Sequence, residues 1–179
     1  METITYSKLD NNNFNVYSLD NFIRYQEIKE CWRKVDNKFI LRPCEFIENW
    51  DLNKCREVAT NVLKAINKNC VAYGAFNECN IVGFIYFDNV VFGSKKEYVE
   101  LVMFQVSRPF RKMGIGKTLF KYGCDAERKR GISKIYISAH SSKESQAAYR
   151  KIGCIDAIEI NKEIADNEPC DIQMEYIME

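Results

Sequence analysis

The stretch Val106-Ser107-Arg108-Pro109-Phe110-Arg111-Lys112-Met113-Gly114-Ile115-Gly116-Lys117-Thr118-Leu119 puts a basic, glycine-containing turn between an apolar run and a helical pattern. Where a buried strand gives way to a helix, the helix's unbonded N–H groups and its positive dipole end converge on one point. Gly114 and Gly116 let an anion approach the backbone there, and Arg111, Lys112 and Lys117 add positive charge. A diphosphate suits such a loop. Two nucleotide-binding patterns fail on residue identity: G-x-x-x-x-G-K-[ST] needs glycine where Arg111 stands, and G-x-G-x-x-G needs glycine where Leu119 stands. What remains is Arg111-x-x-Gly114-x-Gly116, to be weighed against a solvated basic turn with no ligand.

Two further residue types invite chemistry. Glu100 is the charged residue in the apolar run Tyr98-Val99-Glu100-Leu101-Val102-Met103-Phe104. A carboxylate there costs free energy unless it is paired, so it needs a reason to be there; the plain reading is a strand-end glutamate that faces solvent or pairs with Lys95 or Lys96. Strict alternation would put Glu100, Val102 and Phe104 on one face, with Phe104 about 13 Å further along. His140, in Ser138-Ala139-His140-Ser141-Ser142, reads as a hydrogen-bonded structural histidine in preference to a proton relay. The eight cysteines form no Cys-x-x-Cys pair, and with one histidine in the chain no metal site is expected; most read as reduced, apolar core residues.

The elements that must position these groups follow from periodicity. Asp20 is a plausible N-cap for a helix to about Trp32, followed by a loop containing Pro43; Asp51 opens a second helix to about Asn67. Val71 to Phe76 and Ile81 to Phe87 make a hairpin around Asn77-Glu78-Cys79-Asn80. Tyr98 to Val106 is apolar on both faces and so belongs mid-sheet. A helix from Gly114 to Lys129 ends near Gly131; then come a strand Ile132 to Ala139, a helix Lys143 to Ile152, and strands at Ile155 to Ile160 and Cys170 to Tyr176. The order predicts an α/β fold, a mixed sheet with helices on both faces, in one domain over 1–179. Lys and Arg number 26 against 25 for Asp and Glu, which gives no general cause to expect a nucleic-acid or membrane partner. No run of eighteen apolar residues and no secretory pattern at Met1 to Tyr6 is present, so a cytoplasmic compartment is the expectation.

Arg111 to Gly116, placed after a strand, resembles the pyrophosphate loop of the GCN5-related N-acetyltransferase (GNAT) superfamily. The resemblance runs from about Val71 to Ile160, the expected cofactor-binding core. Ser142-x-x-Ser145-x-x-x-Tyr149-x-Lys151-x-Gly153-Cys154 is similar to the family's later motif, keeping its Tyr, Lys and Gly but carrying Ser142 and Ser145 for Asn and Ala and Cys154 for an aromatic. The resemblance implies a mainly antiparallel sheet with a splayed central strand and acetyl-CoA as donor. Its pyrophosphate would lie on the backbone of Arg111, Lys112, Met113, Gly114, Ile115, Gly116 and Lys117. It also implies Phe104 facing the thioester carbonyl, Val106 and Ser142 toward the pantetheine arm, Tyr149 as general acid and Glu100 as base. Direct transfer to an amine in a ternary complex is expected, with a small molecule as acceptor before a protein and the chain acting as monomer or homodimer. The alternative is a CoA-binding sensor without chemistry. The first seventy residues and the acidic stretch Glu163, Asp166, Glu168 and Asp171 carry little of the resemblance; the acidic stretch reads first as a solvated loop. Trp32, Trp50, Phe46 and Tyr73 are available either to an acceptor pocket or to the core.

Overall fold

Strand residues that are apolar at every position need cover on both sides, and this requirement organises the molecule. The computed structural model describes residues 3–36 and 38–178. In β5 (Asn80–Phe87), Ile81, Phe84 and Tyr86 point to one face and Val82, Ile85 and Phe87 to the other, and all six are buried. Helix α1 (Leu52–Asn67) covers the first face through Cys55, Val58, Ala59 and Val62, together with Leu9, Phe14, Leu19 and Phe22. Helix α2 (Ile115–Lys129) covers the second through Ile115, Leu119, Phe120 and Cys124.

The seven-stranded sheet has the order β1-β4-β5-β6-β7-β9-β8, with β1 Ile4–Lys8, β4 Ala72–Asn77, β6 Tyr98–Val106, β7 Lys134–Ala139, β8 Ile155–Asp156 and β9 Ile172–Ile177. Every pairing is antiparallel except β6 with β7. A separate ribbon pairs β2 (Tyr25–Val35) with β3 (Lys38–Asn49). Helix α3 (Lys143–Lys151) follows β7, and α4 (Lys162–Asn167) lies between β8 and β9. The expected α/β class, mixed sheet and two-sided helical cover are present.

Three local expectations are corrected. Asp20 caps no helix; its carboxylate accepts two bonds from Arg56 (2.9 and 3.1 Å), and the residues predicted helical to Trp32 form turns and then β2. The buried positions Ile28 and Cys31 stand three apart, a spacing that mimics a helix; the pairing shifts between them, with Cys44 and Glu45 of β3 opposite Lys29. The loop expected around Pro43 is strand β3, where proline is tolerated because a two-stranded ribbon has only edge strands. Finally, the strand expected to reach Ile160 stops at Asp156, and α4, capped by Asn161 Oδ1 accepting from Ile164 N–H (3.2 Å), replaces what read as an acidic loop.

Asp51 performs as the sequence suggests, its Oδ1 accepting from Lys54 N–H at 2.7 Å. Replacing it with Ala is expected to cost about 1 kcal/mol, measurable as a lower urea midpoint at unchanged m-value.

Candidate functional site

The central strand has a partner on one side only for most of its length. Strand β6 pairs with β5 from Leu101 to Val106, whereas its pairing with β7 stops after Tyr98–Lys134, Val99–Ile135 and Glu100–Tyr136. Beyond Glu100 the strands diverge into a V. Ser107 N–H donates to Val82 on the β5 side (2.8 Å), so alternation turns the N–H groups of Phe104 and Val106 into the V. Buried backbone polar groups ordinarily have partners, so this edge is built to receive a ligand's.

The V's two tips are tied to the same strand. At the β6 tip, Ser107 Oγ accepts from Ile23 N–H (3.0 Å) and Arg108 N–H donates to Ile23 (2.9 Å). Arg111 donates from Nε to the Val106 carbonyl and from Nη1 to the Tyr25 carbonyl, both at 2.9 Å. At the β7 tip, Trp32 N–H donates to the Ser141 carbonyl (2.8 Å) and Arg33 Nη1 to Ser141 Oγ (2.7 Å). Extended chain from Tyr25 to Trp32 spans about 23 Å, and β2 therefore bridges the mouth.

The turn from Arg111 to Gly114 leads into α2, and its side chains play different parts. Gly114 N-caps α2 in the left-handed region (φ 83°), where an added Cβ would meet nothing within 4 Å; its backbone angle alone calls for glycine. A Cβ on Gly116 would come to 3.2 Å from Phe104 Cζ, so this glycine sets how closely the helix approaches β6. The first-turn N–H groups of α2 have no intrahelical acceptor and open beside the β6 tip. Lys112, Met113 and Lys117 are exposed around them. Arg111 is half-buried and clamps the loop to Val106 and Tyr25; burial, then the charges of Arg24 and Arg108, lower its pKa.

Tyr149 lies against the V on the α2 side, half-buried, its ring centroid 6.4 Å from that of Phe104. Burial foremost, with the negative fields of Cys154 and Asp171, raises its pKa and keeps the phenol protonated. Ser142 is fully buried, and its hydroxyl caps α3 by accepting from Ser145 N–H (3.2 Å), so it faces the protein interior instead of a pantetheine arm. His140 Nδ1 accepts from Ser142 N–H (3.1 Å), leaving Nε2 to face Glu48 Oε1 at 3.7 Å; Glu48 also pairs with the buried Arg24.

Glu100 is displaced from the expected geometry. Between Leu101 and Met103 the strand bulges, Val102 being the extra residue opposite β5. Leu101 and Phe104 consequently share the α2 face, and Glu100 lies on the other. Burial, then the charge of Asp88, raises its pKa, and among the described residues no ion pair joins it to Lys95 or Lys96. It lines a cavity of about 330 Å³ with Leu101, Val102, Ser138, Glu168 and Asp171. A second cavity, of about 480 Å³, runs from Trp32, Arg33 and Phe39 of the ribbon to Cys170 and Asp171. The two share Asp171, which the sequence reading left in a solvated loop. It is half-buried, and burial pushes its carboxyl up to about 6. The aromatic residues proposed for a pocket are not gathered: Trp32 lines the larger cavity, Trp50 stacks on Phe22, Phe46 meets His140 and Tyr73 stacks on Tyr122.

A profile of the acetyltransferase (GNAT) family matches residues 25–154. The chain belongs to the GNAT acetyltransferase family. Solved GNAT structures share its fold at low identity. A nourseothricin acetyltransferase superposes with a TM-score of 0.70 at 12% identity, over 98% of this chain and 99% of that one. A protein from Bacillus anthracis str. Ames, assigned as a streptothricin acetyltransferase and solved with acetyl coenzyme A, gives 0.68 at 17% over 98% of each chain. The PaiA N-acetyltransferase of Thermoplasma acidophilum, solved with coenzyme A, gives 0.61 at 16% over 98% and 99%. No curated protein sequence matches. Among the described residues no helix is long and apolar enough to cross a membrane, and no group of three or more His, Cys, Asp or Glu is placed to hold a metal ion.

Alanine at Gly114 forces an L-residue into left-handed backbone at about 1–2 kcal/mol. The Gly114→Ala variant is expected to bind coenzyme A roughly 5- to 30-fold more weakly by titration calorimetry. Arg111→Ala should weaken binding as well, through a loosened loop, with little change in its salt dependence.

Proposed function

We propose that the protein transfers the acetyl group of acetyl-CoA to the amine of a small molecule by direct attack in a ternary complex. The observation that carries this reading is the continuous ligand edge formed by the Phe104 and Val106 N–H groups and the unbonded first turn of α2. A thioester carbonyl, a pantetheine amide and a diphosphate need donors in that order, and the described residues present them so. The residues present therefore fit the donor. Family membership and neighbours solved with coenzyme A or acetyl coenzyme A support the same choice.

In this reading the Phe104 N–H stabilises negative charge developing on the thioester oxygen as the amine attacks. The backbone N–H groups from Lys112 to Lys117 hold the pyrophosphate, and Arg111 keeps their loop in shape. Tyr149, held protonated by burial, gives its proton to the departing thiolate. Glu100 sits at the base of the V, about 13 Å below Phe104 along the strand, and acts from there only through ordered water. A small acceptor is favoured because the ribbon and α4 leave half-open cavities of about 480 and 330 Å³, a size that suits a small molecule. The neighbours described as nourseothricin and streptothricin acetyltransferases are consistent with that choice.

Thiol release from acetyl-CoA over a panel of small amines, antibiotics and peptides tests the proposal. Turnover with small amines supports it; turnover with peptides alone would move the acceptor to proteins. Coenzyme A binding without turnover would leave a sensor. Given turnover, Tyr149→Phe is expected to lower kcat by about 100-fold while the KM for acetyl-CoA stays within about threefold, as suits a group used after binding.

A further inference from the structure

We propose that Asp171 is the general base that takes the proton from the acceptor amine. The inference rests on the acetyl-transfer reading and concerns a residue that the family-like motifs do not reach. Its support is positional. Glu100 pairs with Tyr136 where the V begins, so Phe104 on one arm and His140 on the other both lie four residues above that point. Strand β9 runs antiparallel to β7 with Ile172 opposite Ala139, which brings Asp171 beside His140. Asp171 thus stands at the height of Phe104, one strand beyond the β7 arm and at the point where that arm ends, and Glu100 stands at the bottom.

The cavities make the same distinction. Among the described residues Asp171 alone lines both, at the junction between the ribbon-side cavity and the one that reaches Leu101 and Val102 of β6. An amine entering past Trp32 and Phe39 meets its carboxylate before it meets the strand edge. The groups that act on Asp171 come from every neighbouring element. Burial and the charges of Glu168 at the end of α4 and Glu48 on β3 favour its protonated form, while His140 after β7 and Arg33 on β2 favour the carboxylate. Glu100 of β6 lines the same cavity, and Tyr149 of α3 lies within reach of its field. The result is a carboxyl near pH 6, more basic than an exposed aspartate. Burial also disfavours an ammonium, which narrows the gap the proton must cross.

The step balances without a co-reactant. The ammonium gives one proton to Asp171, and its freed lone pair forms the N–C bond. Asp171 passes that proton to water. As the C–S bond breaks, the sulfur takes a proton from Tyr149, the nitrogen gives its second proton to the Asp171 carboxylate, and water relays it to the Tyr149 phenolate, so one proton in net leaves to water.

The test is the pH dependence of kcat, at saturating acetyl-CoA and amine, for the wild type, Asp171→Asn and Glu100→Gln. The wild type should lose activity on acidification, along a limb set by Asp171 in the ternary complex. Asp171→Asn should lose about 100-fold or more in kcat together with that limb, at unchanged melting temperature and coenzyme A affinity. Glu100→Gln should keep the limb. Should Asp171→Asn fold poorly, Asp171→Ala with added formate supplies a second readout, since restored turnover identifies a missing base. An Asp171→Asn enzyme that keeps the acidic limb, or a limb that vanishes with Glu100→Gln, would overturn the assignment while leaving acetyl transfer intact. A wild type that binds coenzyme A and turns over no amine would sink both.

Discussion

Everything at this site depends on β6 and β7 parting after Glu100–Tyr136 and staying apart. Left to themselves, two strands that begin in register would go on pairing, because each further pair satisfies buried backbone groups. Here each is already held on its far side: β5 binds β6 to Val106, and β9 binds β7 to Ala139. The strand β2 then keeps the tips separated. It is fastened to the β6 tip through Ile23 and Tyr25 and to the β7 tip through Trp32 and Arg33. A helix over the same seven-residue step would reach only about 10 Å, less than half the span of extended chain. The strut has to be a strand.

This constraint also shows where the sequence was legible. The central strand and its loop could be read because their requirements are local: a doubly apolar run, a basic turn, glycine at the start of a helix; the parting of β6 from β7 came only with the family resemblance. Gly114 and Arg111 stand at positions whose backbone and hydrogen bonds require them. The strut could not be read in the same way. Its reason for being extended lies in partners that are distant in sequence, Ser107 to Arg111 and Ser141, and its buried residues Ile28 and Cys31 stand three apart, which disguises the two-residue period. Phe22, Ile23, Tyr25 and Ile28 fit a helical spacing well, and tertiary demand overrode that fit.

An inserted residue within β6 displaced a catalytic candidate. Reading β6 by strict alternation joins Glu100 to Phe104, whereas the bulge at Val102 sends them to opposite faces. A single inserted residue in a strand is silent in sequence, yet every residue beyond it changes sides. Asp171 was missed for the complementary reason. Its burial comes from α4 and the ribbon, two elements the sequence pattern did not disclose, so it read as one charge in an acidic loop.

The two faces of the V consequently present opposite chemistry to one reaction centre. On the α2 side, Phe104, Phe120 and Tyr149 make an apolar wall that keeps a phenol protonated. Across the sheet, Glu100, Ser138 and Asp171 give a polar wall, and a cationic amine has reason to enter from that side only. The proposed acid and base would thereby act from separate environments, each tuned by burial, with β6 as the partition. Had β6 kept strict alternation, Glu100 and Phe104 would face the same wall and the partition would fail. The bulge at Val102 is therefore as much a part of the site as the loop at Gly114.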